Sequence, residues 1–434
     1  MITFSFKISF ILKPLLRFTS ATIVILGDVT YGACCVDDYT ARALGCEMLV
    51  HYGHSCLVPI NQTSIKTLYV FVEISVDAGH LSKTIRRNFP TNSQEFEAKL
   101  LNDDDKNYQS VQIENSTQRR TKLALVGTVQ FVAALQSLAM DLKSDIKEEE
   151  EFKPKGLIEN GDKQHFVNDT VKKEKIGIYR DHYDIIIPQI RPLSPGEVLG
   201  CTAPKLDQTD ALIYIGDGRF HLESIMIANP TVPAFRYDPY SKKITREYYD
   251  HKEMRIIRSD AVKSAKNGIN PQNKVTTKDS TWGIVLGTLG RQGSLKVLET
   301  ISNLLRHHGK GIEYVPILIS ELSPQKISLF ENQLNTFVQT SCPRLSIDWG
   351  YAFPKPLLSP YEAAVTLDKT DGWDHDLKEG KRDYPMDFYA NDSRGPWTPR
   401  YGLMPPRRPR QPHLNQVKPQ TLDQKSVAAA VASI

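Results

Sequence analysis

"KLALVGTVQFVAAL" (122–135) reads as a short apolar strand, a Gly-Thr turn and an apolar helix, and "WGIVLGTLGRQGSLKVL" (282–298) repeats that order. Runs that are apolar throughout suit strands buried on both faces, as in parallel sheets. The same kind of run recurs as "TIVILGD" (22–28), "EMLVHYG", "LYVFVEI", "YDIIIPQ", "ALIYIGD", "EYVPILIS" and "NTFVQTS". Between them lie helical patterns. In "SLKVLETISNLLRHHG" the apolar positions recur three and four apart, and His307, His308 and Gly309 make a stop. Strands alternating with helices predict α/β layers.

A second repeat lies outside the first. "GACCVDDYTARALGCEMLVHYGHS" (32–55) parallels "LGCTAPKLDQTDALIYIGDGRF" (199–220): glycine, cysteine, a connecting segment, then a strand ending in a glycine turn. Cys34 and Cys201 therefore read as equivalent positions. In a third unit, "NTFVQTSCPRLSIDWG" (335–350) places Cys342 just after a strand. Successive cysteines are about one α/β domain apart. The expected organisation is three homologous α/β domains with parallel, helix-flanked sheets and a site at their junction. The first spans 1–118 with a polar loop near 102–118, the second 119–265 with a polar insertion about 145–177, and the third 266–375. A C-terminal extension and disordered tail cover 376–434. The charged insertions and the Pro- and Arg-rich tail are poor in core residues, which predicts solvated or disordered chain.

Composition narrows the function. The chain has 434 residues, net charge +4 and six cysteines. That charge is too small to argue for nucleic acid or a membrane surface, and so few cysteines make no disulfide scaffold, which points to a reducing compartment. The opening "MITFSFKISFILKPLLRFTSATIVILG" is broken by Lys13, Pro14 and Arg17 and no small-residue cleavage site follows, so it fits a targeting peptide poorly. A helix leading into "TIVILGD" is the expectation there.

Three thiolates, from Cys34, Cys201 and Cys342, can hold three irons of a [4Fe–4S] cluster, because soft sulfur suits iron–sulfur chemistry. The fourth iron then stays open for a substrate such as S-adenosylmethionine. A local zinc set of Cys34, Cys46 and Cys56 with His51 or His54 competes, although its spacing fits no compact zinc pattern. Cys46 and Cys56 otherwise read as small apolar side chains. The glycine turns at Gly216 and Gly218, and at Gly287, Thr288, Gly290 and Arg291, follow strands, where ligands of open α/β sheets bind. The second turn lacks the Gly-Lys-Ser/Thr end of a P-loop. Arg291 and Arg344 suit a bidentate grip on a carboxylate, or equally an ordinary ion pair.

"GDVTYGACCVDDYTARALG", "SPGEVLGCTAP", "YIGDGRFHLESIMIANP", "LGTLGRQGS", "CPRLSIDWG" and "FPKPLLSPYEAAV" occur in that order, and with them the chain resembles the diphthamide biosynthesis family over roughly 20–400. The resemblance implies three α/β domains, each giving one cysteine to a [4Fe–4S] cluster: here Cys34, Cys201 and Cys342. It implies an atypical radical transferase. The 3-amino-3-carboxypropyl group of S-adenosylmethionine goes to C2 of a histidine imidazole in translation elongation factor 2, the first step of diphthamide biosynthesis. No catalytic side chain is expected beyond the cluster. S-Adenosylmethionine is expected near Gly216, Gly218, Gly287, Thr288, Gly290 and Arg291, with Arg344 at its carboxylate. The implied partners are a related subunit 2 in a heterodimer, elongation factor 2, and a small iron-binding electron donor with its reductase. Neither a membrane nor nucleic acid is among them, and the location is cytoplasmic. The alternative is a non-catalytic scaffold subunit of the same complex. One departure stands out: family members carry a strand–helix before "GDVTYGAC", and here an apolar 20-mer takes its place. The first domain is therefore expected to be incomplete.

Overall fold

The computed structural model describes residues 17–26, 36–53, 58, 63–71, 73–101, 119–145, 178–269, 281–307, 311–374 and 382–402. It is a mixed α/β structure whose sheets are dominated by parallel pairs. Among these residues, no helix is long and apolar enough to cross a membrane.

The first sheet pairs β1 (Met48–Gly53) with β2 (Lys66–Phe71) in parallel, Met48 opposite Lys66. A short helix, α1 (Asp38–Ala43), precedes it, and α2 (Ala78–Asn88) and α3 (Ser93–Leu100) follow. This sheet is thinly covered: Met48 and Leu68 are about half exposed. The helices after it turn to the next sheet, where Leu81, Ile85 and Phe96 join a core with Leu123, Ile213 and Phe235.

That next sheet contains β3 (Lys122–Gly127), β4 (Asp184–Ile186), β5 (Ala211–Ile215), β6 (Ala234–Asp238) and β7 (Lys243–Glu247), in the order β4-β3-β5-β6-β7. Its centre, β5, is "ALIYI" and every residue is buried, as a strand covered on both faces requires. Its edge, β7, is "KITRE", the one antiparallel partner, with alternating exposure. The helices are α4 (Val132–Leu142), α5 (Phe220–Ala228) and α6 (His251–Ile269). The last sheet is all parallel: β8 (Trp282–Gly287), β9 (Tyr314–Ile319), β10 (Thr336–Gln339) and β11 (Leu357–Leu358), in the order β11-β10-β8-β9. It carries α7 (Leu295–Arg306), α8 (Pro324–Ser328), α9 (Arg344–Trp349) and α10 (Pro360–Thr366). One core joins these two sheets, with Leu212 and Tyr214 of one and Trp282, Ile284 and Val338 of the other among its members.

The two opening stretches fold as strand, Gly-Thr turn and helix. Ser294 caps α7 by accepting from the Val297 amide, and His307 ends it. Each apolar run from "EMLVHYG" to "NTFVQTS" forms a strand. "TIVILGD" does not: residues 22–26 are irregular, and Val24, Ile25 and Leu26 are 50%, 52% and 38% exposed. A strand needs a hydrogen-bonded neighbour, and among the described residues none pairs there. His308, Gly309, most of both polar insertions and residues 403–434 lie outside the described residues. Part of the expected extension is packed rather than loose: Tyr384, Met386, Phe388, Ala390 and Trp397 are all buried.

Candidate functional site

Cys201 sits on a four-residue turn. The Leu199 amide donates to the Thr202 carbonyl at 3.0 Å and the Thr202 amide donates back at 3.3 Å. Gly200 is required here, because a Cβ would overlap the Phe220 ring at the start of α5. Cys201 itself is 2% exposed. On its other side a strap, residues 382–402, crosses the turn. The Phe388 amide donates to the Cys201 carbonyl at 3.3 Å, the Ala203 amide to the Met386 carbonyl at 2.9 Å, and the Tyr389 amide to Thr202 Oγ1 at 3.0 Å.

Cys342 lies between β10 and α9. The buried Gln339 side chain braces its loop: Nε2 donates to the Cys342 carbonyl at 2.9 Å and to Ser346 Oγ at 3.1 Å, and Oε1 accepts from the Ser341 amide at 2.9 Å. Cys342 is half-buried, and desolvation pushes its thiol up to about 12, with Cys201 adding to the rise. Two of the three predicted cysteines, on loops of two different sheets, are thus near enough for one thiol to act on the other. Cys46, Cys201 and Cys342 are thiols rather than disulfides. Cys34, Cys35, Cys56 and His54 lie outside the described residues. Among the described residues no group of three His, Cys, Asp or Glu side chains is arranged to hold a metal. His51 lies in β1, edge-on to Tyr69.

Arg344, two residues past Cys342, is 2% exposed. Its Nε donates to the Asp348 carboxylate at 2.8 and 2.9 Å, and its Nη2 to Glu223 at 2.6 Å. Its Nη1 reaches the Phe220 carbonyl at 2.8 Å and the Gly200 carbonyl at 3.3 Å. The guanidinium lies over the Phe220 ring, 4.5 Å from its centre. Burial would discharge Arg344, but Asp348 and Glu223 outweigh it and hold the charge. For Asp348 burial dominates and raises its carboxyl, with Arg344 opposing.

The predicted glycine turns approach these loops. A Cβ on Gly287 would overlap Ser341 Oγ, next to Cys342. The Thr288 amide donates to the Ile319 carbonyl at 2.9 Å, and Gly290 has a left-handed φ of 58°. Gly216 abuts the Tyr214 ring, whereas Gly218 faces open space. Arg291 forks Asp38 at the start of α1, Nε to Oδ1 at 2.7 Å and Nη2 to Oδ2 at 2.8 Å. Burial raises the Asp38 carboxyl, but the Arg291 fork and the Ser64 amide outweigh it and hold it at about 2. A small cavity lies against Cys201, with Pro343, Tyr361, Tyr384, Asp387 and Trp397 in its wall. Burial raises the Asp387 carboxyl there.

Gln339, Glu223 and the strap escaped sequence reasoning. The spacing of Gln339 from Cys342 is the only local signal, and the strap has none.

Comparison with known proteins matches this chain to one family. The family model for diphthamide synthesis proteins covers residues 1–175 and 162–378. A mouse protein named 2-(3-amino-3-carboxypropyl)histidine synthase subunit 1 is 45% identical over 389 residues, 89% of this chain and 69% of the mouse protein. The human protein of that name is 44% identical, over 91% of this chain and 71% of its own length. The one from Schizosaccharomyces pombe is 45% identical, over 88% and 70%. In fold, the chain is similar to the crystal structure of Dph2 from Pyrococcus horikoshii with a 4Fe-4S cluster. The TM-score is 0.53 at 20% identity, over 86% of this chain and 87% of that one. The chain belongs to the diphthamide synthesis protein family.

Proposed function

We propose that this chain transfers the 3-amino-3-carboxypropyl group of S-adenosylmethionine to C2 of a histidine imidazole in translation elongation factor 2, by a radical route. Methylthioadenosine would be released, and the reaction opens diphthamide biosynthesis. The observation that carries this reading is the approach of the Cys201 and Cys342 loops, from separate sheets, which Arg344 ties together through the Gly200 carbonyl at 3.3 Å. The donor set fits an iron–sulfur group: two adjacent soft sulfurs, with Cys34 as the expected third. When bound, the cluster would supply the electron that cleaves the sulfonium carbon–sulfur bond to the aminocarboxypropyl group.

The chain's own residues hold and shield. The Cys201 turn and the Gln339-braced loop present the sulfurs, each of which gives up a proton on binding metal. The buried strap keeps water from Cys201. Gly218 leaves backbone open to a close ligand, while Gly287 lets its turn pack against Ser341 beside Cys342. No side chain is needed as a nucleophile. The expected setting is a cytoplasmic heterodimer with a related subunit 2, supplied with electrons by a small iron-binding protein and its reductase. Three α/β domains, each giving one sulfur, would complete it.

Anaerobic reconstitution with iron and sulfide should give a broad visible absorption, and turnover with S-adenosylmethionine should release methylthioadenosine. Cys342→Ala should lose both. If that variant keeps a full cluster and full turnover, the assignment fails.

A further inference from the structure

We propose that Arg344 is a positioning residue that sets the separation of Cys201 and Cys342. The inference rests on the cluster reading above. It comes from what one guanidinium holds: the carbonyl of Gly200, directly before Cys201, while its own backbone is two residues past Cys342. The grip continues to the Phe220 carbonyl and Glu223 at the start of α5 and ends on Asp348 one turn along α9. A rigid planar fork makes these bonds together. Gly200 contributes by having no side chain, so Phe220 can lie against the turn and beneath the guanidinium.

The charges support a role inside the protein rather than toward a ligand. Two carboxylates, Glu223 and Asp348, already face this guanidinium, with Arg219 a second, looser partner of Glu223 at 3.6 Å. A third carboxylate, from a cosubstrate, would have to displace one of them. A lysine carries the charge but only one nitrogen, so it cannot hold Gly200, Glu223 and Asp348 in fixed directions.

The test uses the full chain, metal-free, reduced and anaerobic, with a monoaryl arsenical as probe, because such an arsenical bridges only two thiols already within reach. Capture is read by mass spectrometry on the peptides containing Cys201 and Cys342. Iron and sulfide are counted after reconstitution. Arg344→Lys should slow capture at this pair about tenfold, a loss of roughly 1.4 kcal/mol in pairing, and should lower iron loading. Glu223→Gln, at a partly exposed side chain, should do the same more weakly and stands in if Arg344→Lys does not fold. Wild-type capture and loading in both variants would overturn the proposal. So would normal loading with only a raised KM for S-adenosylmethionine, which would make Arg344 a ligand clamp. Slowed capture in the variants, with a wild type that takes no iron–sulfur cluster, would support the positioning role and overturn the cluster reading instead.

Discussion

Arg258 and Arg344 are both buried arginines that tie the five-stranded sheet to the four-stranded one, yet they are completed differently. Arg258, on α6, forks Glu362 on α10 at 2.7 and 2.6 Å and reaches the Leu357 carbonyl at 2.7 Å. Both side chains are essentially sealed, at 1% and 0% exposure. The Tyr384 hydroxyl donates to Glu362 at 2.9 Å, and Gly350 has no side chain where the guanidinium lies. Arg344 instead meets two carboxylates that water partly reaches, 23% and 24% exposed. The sealed one-to-one pair serves the fold. The half-wet knot, which grips the turn of one cysteine from the helix after the other, fixes a site. The strap touches both, through Tyr384 at one and through Phe388 at the Cys201 turn.

The largest effect expected is therefore from removing the strap. A chain ending at residue 381 loses the burial of Met386, Phe388 and Trp397, each worth about 1.5–3 kcal/mol, and opens both knots at once. It should lack a cooperative thermal transition by circular dichroism; a wild-type melting curve would break the link between strap and knots. Next comes Glu362→Ala, which strands a buried guanidinium and should cost about 3–5 kcal/mol in urea unfolding. The same truncation at Glu223 should cost about 1 kcal/mol, because water can replace that partner. Equal costs would erase the distinction between the knots. Gly200→Ala forces a methyl into the Phe220 ring and should cost about 1–3 kcal/mol, with arsenical capture at Cys201 as its local readout. The effect confined to low pH concerns the Arg291–Asp38 fork. Asp38 titrates at about 2 in the fold against an ordinary 3.8. Its contribution is complete above pH 3.8 and fades as pH falls toward 2. In urea unfolding followed against pH, Asp38→Asn should flatten that limb.

The strands were legible where burial on both faces demands continuous apolar residues, as in "ALIYI" and "WGIVLG". β7 was hidden because "KITRE" is a polar edge that only its antiparallel partner makes a strand. β11 is two residues long, too short for any period. At the site, the cysteines showed through their place in a repeat. The arginines stood out, but not their distant partners: Glu223 and Gly200 lie 121 and 144 residues from Arg344, and Asp38 lies 253 from Arg291, distances at which no local pattern survives. The strap was invisible for the same reason. Its aromatic residues follow no helical or strand period, and their order comes from the surface they cover.

The hydrogen bond from Tyr389 to Thr202 spans 187 positions of chain. At a ribosomal pace of 5–20 residues per second, that is on the order of 10–40 s of synthesis. During that interval the Cys201 turn waits without its cover. On the proposed cluster reading, metal delivery belongs after translation has passed the strap, and a nascent chain stalled short of it would present Cys201 to oxygen unguarded.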